Sequence, residues 1–222
     1  MKNLCTVLVV SLIALFAPIA KSKDLCATLG DHRIVVSESY VLKPLELEGQ
    51  DVWGKGFIQQ EITCSSRLKQ LVIAFVLPEM GSGGGGFFKA VNKADGVIVF
   101  VEPMVDGAAA LQHTFSLLVD PSNKVGRGQD YYDSNIELNA FSRNYTKGVF
   151  SVEDFYWKGT EGNVELFITC PKGKYGVAVC KGHFNMARNS YRYNIVFPRG
   201  ALHQWRSISE HVEGFLTAII QG

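Results

Sequence analysis

The sequence predicts an α+β fold: a mainly antiparallel sheet with a C-terminal amphipathic helix packed on one face. Three observations carry that expectation. Leu202, Trp205, Ile208, Val212, Phe215, Leu216 and Ile219 recur at three- and four-residue steps, which makes one apolar face of a helix. Just before them, Val164–Thr169 and Tyr191–Phe197 are β-branched and aromatic runs of strand length, the second stopped by Pro198 and Gly200. Between Arg33 and Ile168 the pattern is mostly short apolar runs with turn punctuation, so strands precede a closing helix.

In chain order, residues 1–22 read as a signal peptide rather than fold. Lys2 is the positive region, Val7–Phe16 the apolar core, and Ala20-Lys21-Ser22 offers small residues at the cleavage positions. A membrane span needs about 20 apolar residues, and Pro18 and Lys21 cut this run short. Residues 23–222 then form a single globular domain, long enough for one well-packed core. Without Lys2 and Lys21, 20 basic residues face 21 acidic ones. That balance, with no basic run, argues against a nucleic-acid partner. No later stretch is long and apolar enough to insert in a membrane.

Strands are expected at Ile34–Val36, Tyr40–Leu42, Leu71–Leu77, Val97–Val101, Phe115–Val119, Phe150–Trp157 and Val164–Thr169, with looser alternation over Phe57–Thr63. The Lys158–Gly162 segment reads as a hairpin loop. Short helical pieces are expected at Phe87–Lys93 and Ala108–Gln112, below the length at which a helix stands alone.

Cys26, Cys64, Cys170 and Cys180 remain after the leader. An even count in an exported chain reads as disulfides, for which sequence allows three connectivities. Sequence-local pairing, Cys26–Cys64 and Cys170–Cys180, is the expected one. Zinc is the poorer reading: there is no C-x-x-C pair, and no histidine stands at finger-like spacing from one.

Catalytic and cofactor signals are thin. Gly81, Gly83 and Gly86 satisfy G-x-G-x-x-G, but any glycine run does so, and Pro78-Glu79-Met80 separates the strand from the first glycine. Phe87 stands where a P-loop needs Lys. No cofactor is therefore expected. Ser82 lacks the glycine two residues before it that a nucleophile elbow requires, since Met80 is there. Glu79, Glu102, Glu153, Asp154 and Glu161 could furnish an acid pair, although their spacing carries no information. His203 and His211 are eight apart on the final helix, where helix-borne metal pairs usually sit four apart. Asn144-Tyr145-Thr146 is a glycosylation sequon only in a eukaryotic secretory route.

The irregular segment Asp120–Ser134 is the better candidate site. Arg127, Asp130, Tyr131, Tyr132 and Asp133 share it, and Tyr and Arg are residue types that dominate protein interfaces. They are the expected partner-binding residues, with the Gly81–Gly86 run as a rim beside them.

Tyr193-Asn194-Ile195-Val196-Phe197, followed by Leu202, Trp205 and Ile208 and then Val212 and Leu216, resembles the tail of small exported immunity proteins. Those proteins protect a bacterial cell from type VI secretion effectors. The resemblance spans about the last thirty residues. It implies a periplasmic inhibitor that plugs an effector with loops and does no chemistry of its own. The expected function is thus a non-enzymatic exported binding protein, inhibiting a secreted effector. The alternative is a secreted hydrolase using Ser82 or an acid pair.

Overall fold

The computed structural model describes residues 23–52, 54–55, 57–86, 95–104, 109–119, 128–144, 150–160, 162–173, 179–186 and 191–221. The expected leader, the Phe87–Lys93 helix, Glu161, Arg127, and Tyr145 and Thr146 of the sequon lie outside these residues.

The described chain opens as a hairpin of β1 (Asp24–Leu29) and β2 (His32–Ser37), burying Leu25, Ala27, Leu29, Ile34 and Val36 by strict alternation. Two short strands, β3 (Leu42–Lys43) and β4 (Glu46–Leu47), lead to the long β5 (Arg67–Val76). The glycine run supplies β6 (Gly81–Ser82) and β7 (Gly85–Gly86), and β8 (Gly96–Pro103) follows. After helix α1 (Ala109–Val119) come β9 (Tyr131–Asp133), β10 (Leu138–Asn144), β11 (Phe150–Thr160), β12 (Asn163–Gly173), β13 (Val179–Met186) and β14 (Tyr191–Pro198). A 3₁₀ segment, Arg199–Gln204, enters α2 (Trp205–Ile219), and β15 (Ile220–Gln221) ends the chain.

The α+β expectation is overturned. The protein is mostly sheet: its main body is one mixed sheet of 13 strands, in the order β15-β2-β1-β5-β8-β14-β13-β12-β11-β10-β9, with β4 and β6 also paired to β5. β1 runs parallel to β5, and β3 pairs parallel with β7 in a separate two-stranded sheet. The balance shifted because β1, β10 and β13 were not visible as strands. In β13 the outward positions are polar, at Lys181, His183 and Asn185, and Gly182 breaks the apolar alternation. A Cβ on Gly182 would stand 2.5 Å from the Phe184 ring, so glycine is there to admit that ring.

A second correction concerns Phe115–Val119, which is helix and not strand. A short apolar run cannot be told from a buried helix segment by periodicity alone. Leu111 and Phe115, one helical turn apart, are buried, and Leu118 packs beside them. The residues Phe57–Thr63 form no strand.

The principal core lies on one face of the sheet and includes Leu29, Ile34, Leu71, Phe75, Val99, Ile168, Tyr193 and Phe197. α2 lays Trp205, Ile208, Val212, Leu216 and Ile219 onto it. The helix also joins the two ends of the strand order. Its first turn contacts the β9–β10 turn, and β15 beyond its last turn pairs with β2, Ile220 opposite Ile34. The other face carries two smaller clusters. α1 covers Phe141, Phe155, Trp157 and Phe167, while Leu42 covers Ala74 and Ile98.

The cysteines pair as Cys26–Cys64 and Cys170–Cys180. The second pair is buried against the core, and the first ties β1 to the segment that enters β5.

Candidate functional site

β9 is the last strand in the order among the described residues, so it forms an edge of the sheet. Tyr131, Tyr132 and Asp133 pair with Ala140, Asn139 and Leu138 of β10. Just before them, Gly128 donates its backbone N–H to Ser142 at 2.8 Å, keeping the chain against β10. The residues expected as an irregular loop are therefore, from Tyr131, a paired strand. Tyr131 is 47% and Tyr132 61% exposed, the two exposed large aromatics among the described residues. Asp130 is exposed and Asp133 half-buried, its carboxylate accepting the Asn135 N–H at 3.0 Å.

The C-terminal helix holds the turn that follows. Trp205 Nε1 donates to the Ile136 carbonyl at 2.9 Å, and Arg206 reaches Glu137 at 2.6 Å. The Arg206 guanidinium also lies 5.4 Å from the Trp205 ring centre. Trp205 is core, as its place on the apolar helix face predicts, and its polar edge additionally fixes the turn that follows the tyrosine strand.

Beside this edge sits an ionic cluster around the buried Asp154 that spacing could not reveal. Asp154 accepts from Ser142 Oγ at 2.6 Å, from Lys172 at 3.1 Å and from Arg199. Burial alone would push its carboxyl up, but the donors Ser142, Arg199 and Lys172 together outweigh it and hold it below the ordinary Asp value. Burial, and then the nearby Asp154 charge, pushes the Tyr156 hydroxyl up to about 12. The same two causes raise Tyr131. Asp154 is therefore ionised, and the Tyr156 and Tyr131 hydroxyls keep their protons, at neutral pH.

The remaining candidates separate. The glycine run is a packing device and not a phosphate loop. Gly83 and Gly84 donate to Ala74 and Ser39 at 2.9 Å each, and Gly85 to Val41 at 3.1 Å. A Cβ on Gly84 would meet the Ser39 carbonyl oxygen at 2.4 Å, so only glycine allows this threading between backbones. The run pairs with β5 and β3, and β8, β14, β13, β12, β11 and β10 stand between β5 and β9 in the strand order, so its pairing does not put it beside the tyrosine strand as a rim. Ser82 is exposed on β6, opposite Phe75, with no histidine or carboxylate bonded to it among the described residues. Glu102 is held by Arg192 at 2.8 Å and by Gln70. Of the acid-pair candidates, Glu102 and Asp154 are thus held by different cations. His211 packs edge-on to Phe75 at 5.7 Å, and His203 lies beside Gln204.

A groove of about 290 Å³ opens between α1 and the outer face of β8, β13 and β14. Glu102, His183, Asn185, Arg192 and Asn194 line it. His183 stacks on Phe167 at 4.3 Å, and burial, with Lys181 nearby, pushes its imidazole down to about 4. The imidazole is neutral at pH 7.

No family model and no curated protein matches the sequence. Two solved structures share the fold. One is an immunity protein of the Stenotrophomonas maltophilia type IV secretion system, with a TM-score of 0.58, 11% identity, and 90% of this chain and 94% of that chain covered. The other is the Neisseria meningitidis iron-regulated outer membrane lipoprotein FrpD, with a TM-score of 0.51, 9% identity, and 90% and 93% covered. At these identities the likeness is one of fold. It extends over nearly the whole chain, where the C-terminal resemblance to immunity proteins reached only the last strand and helix. Among the described residues no helix is long and apolar enough to cross a membrane.

Proposed function

We propose that the chain is an exported, periplasmic, non-enzymatic protein that binds and neutralises a secreted effector protein. The observation that carries this reading is the pair of exposed tyrosines, Tyr131 and Tyr132, held on a paired and helix-braced strand. Tyr supplies large contact area with few rotatable bonds, so fixing it beforehand lowers the ordering cost of association. Asp130 and Asp133 flank the pair, and Arg127 belongs to the segment just before it. Likeness of fold to a secretion-system immunity protein supports the same reading. So does the two-disulfide scaffold, which suits an oxidising compartment. The C-terminal resemblance to type VI immunity proteins adds the class of effector.

The test is protection. The product of the neighbouring gene is directed to the periplasm with and without this chain, and survival is scored alongside binding of the purified pair. Protection together with tight binding, weakened by Tyr132→Ala in a protein that unfolds at the wild-type temperature, is expected. Turnover on an ester panel that Ser82→Ala abolishes, with no protection, would overturn the proposal.

A further inference from the structure

Most sheet edges defend themselves with Lys, Pro or a bulge that discourages another strand from pairing. β9 has no Lys, Pro or bulge; it is three residues long, and its guard is the acid on either side of its tyrosines, which bars acidic segments and leaves basic ones free to pair. Its sequence, with the residue before it, is Asp130-Tyr131-Tyr132-Asp133, and its register against β10 is continuous. Among the described residues the nearby charge is acidic in balance: Asp130 and Asp133 bracket the tyrosines, and Glu137 and Glu210 both act on Arg206, the cation at the start of α2. On the other side of the strand, Arg199 and Lys172 are committed to the buried Asp154. The edge thus combines main-chain pairing groups, a tyrosine ring on each face and the carboxylates of Asp130 and Asp133.

We propose that β9 docks an extended, Lys- or Arg-bearing segment of a partner protein as an added strand. The proposal rests on the reading that the chain binds a protein, and it names the mode and chemistry of that binding. Main-chain hydrogen bonds along β9 supply affinity, as in other strand additions. Tyr131 and Tyr132 lie on opposite faces, and each ring receives the aliphatic stem and cationic head of a partner residue on its own face. Asp130 and Asp133 fix register and exclude acidic segments, because like charges placed opposite each other oppose pairing. The edge is preformed by Trp205 and the β10 pairing, so docking orders the partner far more than this chain.

The experiment uses the full mature chain and two synthetic peptides, one alternating Lys with Val and the other alternating Glu with Val. Amide hydrogen exchange is followed with each peptide present. Slowed exchange confined to residues 130–133 and their β10 partners is expected with the Lys peptide and not with the Glu peptide, and it should fade as salt is raised. Tyr132→Lys should weaken the Lys peptide by about tenfold or more, the loss of a central anchor. Asp130→Lys should remove the preference for the basic peptide while the protein unfolds at its usual temperature. Equal protection by both peptides, or protection mapping away from β9, overturns the proposal. The peptide readout needs no effector, so its failure is separate from failure of the inhibitor reading. A chain that protects cells but leaves β9 unprotected in exchange overturns the edge assignment alone. A chain that takes the Lys peptide at β9 but protects no cell overturns the inhibitor reading alone.

Discussion

Trp205 Nε1 donates to the carbonyl of Ile136 at 2.9 Å, joining residues 69 positions apart and fastening the C-terminal helix to the turn after the tyrosine edge. Both groups are buried, so the bond cannot be replaced by water without cost. Trp205→Phe keeps most of the packing and orphans the carbonyl; it should cost about 1–3 kcal/mol. Trp205→Ala also opens a cavity and should cost about 3–5 kcal/mol. Urea midpoints check both. An unchanged midpoint for the alanine variant would show that the helix does not brace the sheet.

The apolar periodicity of that helix was readable because its polar side faces water along its whole length, which leaves a clean three- and four-residue pattern. The strands were readable where both faces are covered, as at Leu71–Phe75 and Val97–Val101, and the second half of the hairpin at Asn163 was readable too. β13 was not, since its outward residues Lys181, His183 and Asn185 and the small Gly182 mimic a loop. The mixed character of the sheet was out of reach for another reason. The β1–β5 parallel contact joins segments far apart in sequence, and neither strand encodes its partner. At the candidate site, the tyrosines and acids were legible by type. Arg206, Glu137 and the Asp154 cluster were not, because ion pairs between elements depend on how those elements pack and not on sequence spacing.

The glycine run gives a paired test. Gly84→Ala places a methyl 2.4 Å from the Ser39 carbonyl oxygen and 2.8 Å from backbone carbons of Ser39 and Tyr40, none of which is a flexible side-chain end. Overpacking of this kind should cost about 1–3 kcal/mol. Gly214→Ala meets nothing within 4 Å in the middle of α2. It should stabilise by about 1 kcal/mol, the helix-propensity difference. Thermal unfolding of the two variants should therefore move in opposite directions. Equal tolerance of both would mean that the run is not packed as described.

The two disulfides should differ in reactivity. Cys170 and Cys180 are both 0% exposed, whereas Cys64 is at the surface. Arg33 points Nε at Cys26 Sγ, 3.2 Å away, and Nη2 at Cys64 Sγ, 3.5 Å away. A guanidinium there favours the thiolate released when the bond opens. A mild dithiol should open Cys26–Cys64 first, and Arg33→Ala should slow that step while leaving Cys170–Cys180 unaffected. Timed alkylation followed by mass spectrometry reads both. If the buried pair opens first, or Arg33→Ala changes nothing, the guanidinium has no part in the chemistry. Closing the longer loop contributes about 4 kcal/mol in the chain-entropy model, so the opened form should also unfold at lower urea.

His183 gives the fold an acid-sensitive step. Its imidazole is pushed down to about 4 by burial, with the Lys181 and Arg192 charges adding to the effect and the Asn194 hydrogen bond opposing it. In the unfolded chain the ordinary value is 6.5. Between those values the unfolded state binds a proton that the folded state refuses, so stability falls as pH falls. The contribution is complete above pH 6.5 and gone below about 4, and it amounts to on the order of 3 kcal/mol. Asp154 also loses stability on acidification, but that loss begins only as pH falls through the ordinary Asp value of 3.8 and is complete below its depressed folded value. The two windows are therefore separable. His183→Gln keeps a polar side chain beside Asn194 and cannot take a proton. Urea midpoints should fall from neutral pH toward pH 5 in the wild type and stay nearly level in His183→Gln. A variant that tracks the wild type across that range would place the acid sensitivity in another group, and the stacked imidazole on Phe167 would then be charged or exposed in solution.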